Sequence, residues 1–131
     1  EYYSVPGEMA YLAANSGVMD QIVVAVNLDA AGFKGMRTAI SLYGVPESIQ
    51  TPIRALIGTD NRFTEGEPWH QGDHSIFVQN GRPAVAITSE DLDWLSREIN
   101  HTAKDDLDGV DFGMLSETAL LLRDFILRVS A

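Results

Sequence analysis

Eight residues, Gln21-Ile22-Val23-Val24-Ala25-Val26-Asn27-Leu28, constrain the fold more than any other stretch of the chain. β-Branched side chains are stiff at the first torsion and suit a pleated strand. The run shows no alternation of polar and apolar positions. It therefore reads as a strand buried on both faces, central in an α/β sheet. It stops at Asp29-Ala30-Ala31-Gly32. A carboxylate thus stands just past the carboxyl end of a strand, where the sites of open α/β sheets collect.

The remaining pattern alternates in the same way. Pro6 to Asn15 reads as a helix, with Pro near its start and Asn15-Ser16-Gly17 as its stop. Arg37 to Tyr43 reads as a second, weaker strand. Glu47 to Asp60 places Ile49, Ile53, Leu56 and Ile57 on one helical face. Asn61 to Gly72, broken by Gly66, Pro68 and Gly72, reads as a loop. Asp73 to Gln79 reads as a short helix stopped by Asn80-Gly81, and Pro83 to Thr88 as an apolar strand. Asp91 to Glu98 is ambiguous. Gly109 to Val129 reads as a long helix carrying Met114, Leu115, Ala119, Leu122, Phe125 and Ile126 at helical spacing. The order α-β-β-α-loop-α-β-loop-α is that of an α/β protein.

Composition narrows the function classes. The 131 residues suit one domain or part of a larger one, and an apolar share of 45% supports a packed core. A formal net charge of −10 argues against nucleic acid or an anionic membrane as the main partner. It suits cationic ligands, metals and free amino termini among them. The absence of cysteine removes disulfides and thiolate metal sites. No apolar run reaches the ~20 residues of a membrane span. The chain opens on Glu1-Tyr2-Tyr3 rather than Met, which points to a processed product or a fragment, with any targeting segment lost.

With no thiolate available, imidazole and carboxylate are the remaining strong donors for a borderline metal such as zinc. Three places offer them. His101 lies in Asn100-His101-Thr102-Ala103-Lys104-Asp105, in the loop before the last helix. Asp29 follows the first strand. Asp73 and His74 open the short helix. Each has an ordinary reading too: a solvated loop histidine for His101, a turn-forming aspartate for Asp29, a helix cap for Asp73. His70 beside Trp69 reads as a loop residue or a pocket wall. Lys104 to Asp108 reads as a solvated face and capping region. The chain holds no GxGxxG, Walker loop, HExxH or GxSxG.

Together, three segments in order resemble a known family. They are Val26-Asn27-Leu28-Asp29-Ala30-Ala31-Gly32, then Gly72-Asp73-His74-Ser75-Ile76-Phe77 with Gly81-Arg82-Pro83-Ala84-Val85, and finally His101-Thr102-Ala103-Lys104-Asp105. They are similar to the N-L-D-x-x-G, S/G-D-H-x-x-F…G-x-P-A and H-T-x-x-D motifs of peptidase family M28. That family comprises the co-catalytic dizinc exopeptidases: bacterial leucyl-type aminopeptidases, glutamate carboxypeptidase and glutaminyl cyclase. The resemblance runs from Gln21 onward. It implies a three-layer α/β/α, phosphorylase/hydrolase-like sheet. The 131 residues would form the carboxy-terminal portion of one zinc-peptidase catalytic domain. It further implies two zinc ions in the complete site, with Asp29 a ligand of one and His101 of the other. Asp73 would shape the substrate pocket, His74 would support it, and Asp105 would orient the His101 loop.

The departures from the family pattern are specific. The upstream H-x-D motif is absent, and the expected Glu-Glu pair is reduced to a single Glu1, read as a third metal ligand. The general-base Glu would then lie upstream. A Tyr that some relatives place before the zinc His is Asn100 here. The resemblance therefore implies part of a zinc aminopeptidase acting on peptide or aminoacyl substrates, inactive as this chain alone. A secreted or periplasmic, soluble parent is compatible with it. A glutaminyl-cyclase-like acyltransferase and a metal-free binding domain are the two alternatives on the same fold.

Overall fold

A computed structural model describes residues 6–130. Four strands form one mixed sheet: β1 (Ala25–Leu28), β2 (Thr38–Tyr43), β3 (Phe63–Glu65) and β4 (Ala84–Ser89). Their spatial order is β1-β4-β2-β3. β1 runs parallel to β4, β4 antiparallel to β2, and β2 parallel to β3. The helices are α1 (Pro6–Asn15), α2 (Glu47–Ile57), α3 (His74–Gln79), α4 (Leu92–Glu98) and α5 (Phe112–Val129).

Helices cover both faces of the sheet, so the α/β expectation holds as three layers. On one face Ile40, Val85 and Ile87 pack against Ile49, Ile53 and Leu56 of α2 and Leu121 and Phe125 of α5. A fully buried aliphatic or aromatic side chain contributes roughly 1.5–3 kcal/mol, so this cluster dominates the core. On the other face Ala25, Tyr43, Ala84 and Ala86 form a thinner layer under Trp69, Phe77 and Val78. Small residues there let α3 and the Trp69 loop approach the sheet closely.

Three expectations are corrected. The first strand is neither central nor buried. Met19–Gln21 turns as a short 3-10 helix, pairing starts at Ala25, and Val26 and Leu28 are 40% and 49% exposed at the sheet edge. Apolar side chains report a preference for cover, not which neighbour supplies it. The centre belongs to β4, buried along its whole length, and to β2. Second, the segment read as a loop contains β3. Phe63 is buried, and Thr38 to Ile40 pair with Phe63 to Glu65. Third, the buried stripe of α5 is Met114, Thr118, Leu121 and Phe125, while Ala119 and Ile126 face solvent. Thr118 belongs to the stripe because its hydroxyl donates to the Met114 carbonyl and meets Thr38 Oγ1 at 3.3 Å, which lets a polar residue be buried.

The ambiguous segment resolves as α4, capped by Asp91, whose side chain accepts from the Trp94 amide. Asp111 caps α5 in the same way through the Met114 amide. No helix among the described residues is long and apolar enough to cross a membrane.

Candidate functional site

Asp29 emerges directly beyond the carboxyl end of β1. Its amide donates to the Ile87 carbonyl, which continues the β1–β4 ladder by one rung. The next residue, Ala30, sits at φ +52°. An L-residue in that left-handed region costs about 1–2 kcal/mol. Ser89 at the end of β4 holds the turn in place. Its hydroxyl donates to the Ala30 carbonyl at 2.8 Å and accepts from the Phe33 amide at 3.1 Å, and its own amide also donates to Ala30. Ser89 is buried and was not singled out from the sequence, where a serine at a strand end carries no distinguishing pattern.

His101 occupies an exposed turn after α4 at φ +62°. Its amide donates to Asp105 Oδ2 at 3.2 Å, so the Asp105 carboxylate holds the turn that presents the imidazole. Among the described residues, Ala30 and His101 are the non-glycine positions with positive φ.

The segments that follow these two residues are sewn together. Phe33 bridges to Val110, the Lys34 amide donates to the Gly109 carbonyl, and the Asp111 amide donates to Gly32. Lys34 Nζ reaches the Asp108 carbonyl at 2.6 Å, and Phe33 meets Trp94 edge-on. Gly32 is needed there: a Cβ would come within 2.7 Å of Leu115. The fold therefore brings both loops to the same end of the sheet, past the carboxyl ends of β1 and β4.

Asp73 and His74 part company at the start of α3. Asp73 is exposed, occupies the cap position, and makes no side-chain capping bond, so the capping reading fails, and among the described residues its carboxylate has no hydrogen-bond partner. His74 is buried, at 1% exposure. Its Nε2 lies 2.9 Å from the Trp69 carbonyl and its Nδ1 lies 3.3 Å from Asn27 Nδ2. Its ring sits 4.5 Å from that of Trp69 and 4.8 Å from that of Tyr43. Tyr43 clamps the same backbone: its hydroxyl donates to the Trp69 carbonyl and accepts from the Trp69 amide. Burial pushes the Tyr43 phenol above its ordinary pKa, against the pull of its Trp69 and Ser41 hydrogen bonds, so it remains a donor at neutral pH. His70 is exposed and faces Tyr43.

A small cavity of about 60 Å³ is lined by Tyr43, His70, His74, Ser75, Val78 and Gln79. It lies toward the Tyr43–Ala84–Ala25 row of the sheet. Asp29 is at the other end of β1, roughly 13 Å away at the rise of a strand.

The donors do not assemble a metal centre by themselves. Among the described residues no three His, Asp or Glu side chains come together around one point. Asp29 and His101 are the right chemical types for zinc, but two ligands fall short of the three or four that a protein zinc site uses. Glu1, read as a third ligand, lies outside the described residues.

An α/β sheet with carboxylate and imidazole loops gathered past the ends of parallel strands is the layout of an α/β enzyme domain. The chain belongs to peptidase family M28, whose family model matches residues 6–126. That membership makes it a hydrolase of the peptidase type at the general level, with peptides as the substrate class. No curated protein matches the chain.

Proposed function

We propose that the chain is the carboxy-terminal portion of a zinc-dependent aminopeptidase domain that removes amino-terminal residues from peptides. Asp29 and His101 each contribute one ligand to a two-zinc centre, and the remaining ligands and the general base come from outside the described residues. Asp73, whose exposed carboxylate makes no capping bond and finds no hydrogen-bond partner among the described residues, pairs with the substrate's free amino terminus. The net charge of −10 favours that cationic group.

The observation that carries this reading is the coincidence of backbone strain with the motif positions. His101 and the residue after Asp29 are the two non-glycine residues held at positive φ among those described. Such strain persists where surrounding structure over-determines it, and it clusters at functional sites. Here the Ser89 hydroxyl and the Asp105 carboxylate do the over-determining.

Bound zinc would supply Lewis acidity and an activated water. The two donors present do not form a complete site, so no step is assigned to them beyond ligation. The isolated chain accordingly lacks peptidase activity. The test uses the full-length polypeptide and aminoacyl-nitroanilides. Turnover that collapses in Asp29→Ala and in His101→Ala supports the reading, and undiminished turnover in both sinks it. Calorimetry of the isolated chain with zinc is expected to show no tight binding. Tight uptake of two zinc ions would overturn the inactivity of the isolated chain.

A further inference from the structure

We propose that His74 is a positioning residue that fastens the Asp29 strand end to the loop carrying His70 and Asp73. The role in catalysis rests on the peptidase reading above; the structural role does not. The Trp69 carbonyl can only accept a hydrogen bond, so His74 Nε2 must carry the ring proton. In the neutral ring Nδ1 then offers a lone pair, and Asn27 Nδ2 donates to it. Both nitrogens are used inside the protein, which leaves none for substrate or metal. The carboxamide it holds lies on β1 two residues before Asp29, on the same face of the strand. The carbonyl it holds belongs to the loop that ends in Asp73 and is already gripped by Tyr43. One buried imidazole thus ties a candidate metal ligand to a candidate substrate carboxylate. Gly72 reflects the tightness of the arrangement: a Cβ there would come within 3.0 Å of His74 Nδ1 and 2.7 Å of the Trp69 ring.

Two conservative variants separate the two arms. His74→Asn places an amide near the Nδ1 position, where its oxygen still accepts from Asn27, but it falls short of Trp69. His74→Gln reaches the Nε2 position and still donates to the Trp69 carbonyl, but it offers Asn27 nothing. Amide hydrogen exchange on the full-length polypeptide reads each arm. His74→Gln is expected to speed exchange at the Asp29 amide roughly five- to tenfold, the scale of one net hydrogen bond, and to spare the Trp69 amide. His74→Asn is expected to do the reverse. Equal changes at both amides in both variants, or none, would mean that the ring merely fills space, and would overturn the proposal. In the peptidase assay His74→Gln should lower kcat at unchanged KM, whereas His74→Asn, which releases the loop ending in Asp73, should raise KM. Unchanged kcat in His74→Gln overturns the catalytic role. A wild-type polypeptide that hydrolyses nothing overturns the peptidase reading instead and leaves the exchange result standing.

Discussion

Gly72→Ala is the sharpest single probe of how the Trp69 loop is built. A methyl group at position 72 would stand 2.7 Å and 3.0 Å from two Trp69 ring carbons and 3.0 Å from His74 Nδ1. Carbon contacts relax at about 3.5–4.0 Å, so the indole must retreat by roughly 1 Å. It has little room to do so. The Trp69 amide and carbonyl are both tied to Tyr43, the carbonyl also to His74, and the ring packs edge-on against the His74 imidazole. Overpacking of this kind costs about 1–3 kcal/mol. In a domain of this size that lowers Tm by roughly 3–10 °C. Gly17→Ala is the control, since a Cβ there meets nothing within 4 Å and φ is not in the left-handed region. It should change stability by less than about 0.5 kcal/mol or raise it slightly. The assay is urea unfolding of both variants, followed by far-ultraviolet circular dichroism and tryptophan emission. Gly72→Ala matching Gly17→Ala in midpoint, with unaltered emission, would refute the clamped loop.

Phe125→Ala removes a fully buried ring from the α2–α5 face of the sheet and should cost about 3–5 kcal/mol in the same unfolding experiment; a loss below 1 kcal/mol would place the core elsewhere. Ala30→Gly relieves a left-handed alanine, and the gain is partly offset by the greater freedom of glycine in the unfolded chain. Stability should stay level or rise by up to about 1 kcal/mol, and a clear loss in the unfolding midpoint would contradict the strain. Arg54, Arg62 and Arg37 hydrogen-bond Glu65, Asp60 and Glu90, and hold these carboxyls below their ordinary pKa values. A depressed carboxyl stabilises the fold above its unfolded pKa near 4, and that contribution disappears as pH falls through the folded value. Unfolding midpoints should therefore fall between pH 5 and pH 2. Arg54→Ala should shrink the fall, and added salt should shrink it in the wild type; an unchanged acid limb in Arg54→Ala would refute the pairing.

Helices α1, α2, α3 and α5 and strand β4 were legible because their signals are local, whereas α4 stayed ambiguous. The Ile49, Ile53, Leu56 spacing of α2 reproduces its buried stripe, and the Asn80-Gly81 stop of α3 holds. The α5 face was misread because hydrophobicity alone assigns Ala119 and Ile126 inward and Thr118 outward. What decides the matter is the pair of partners that Thr118 finds, one of them on a strand 80 residues away. β1 was misplaced for the same reason: sheet position is a non-local property of a local pattern. β3 was missed because three residues between turn signals carry too short a period to read, and only the parallel ladder with β2 makes them a strand.

The candidate site divides along the same line. Asp29, Asp73 and His101 could be singled out as residue types at element joints, and Asp105 holds the His101 turn as its spacing suggests, yet nothing in the chain shows that Ala30 and His101 are strained or that Ser89 holds the Ala30 turn. Those restraints are hydrogen bonds across 59 and 4 residues, one invisible in the chain and one written in it as His101 followed four positions on by Asp105. His74 shows how neighbours at a helix start can part. Adjacent to Asp73 in sequence, it points the other way, because successive residues at a helix start diverge by about 100° and one of this pair must face the sheet. The sheet takes the histidine, whose two nitrogens find a carbonyl and a carboxamide. It leaves the aspartate, whose charge would be costly to bury without a cation, to the solvent and to whatever cationic group arrives there.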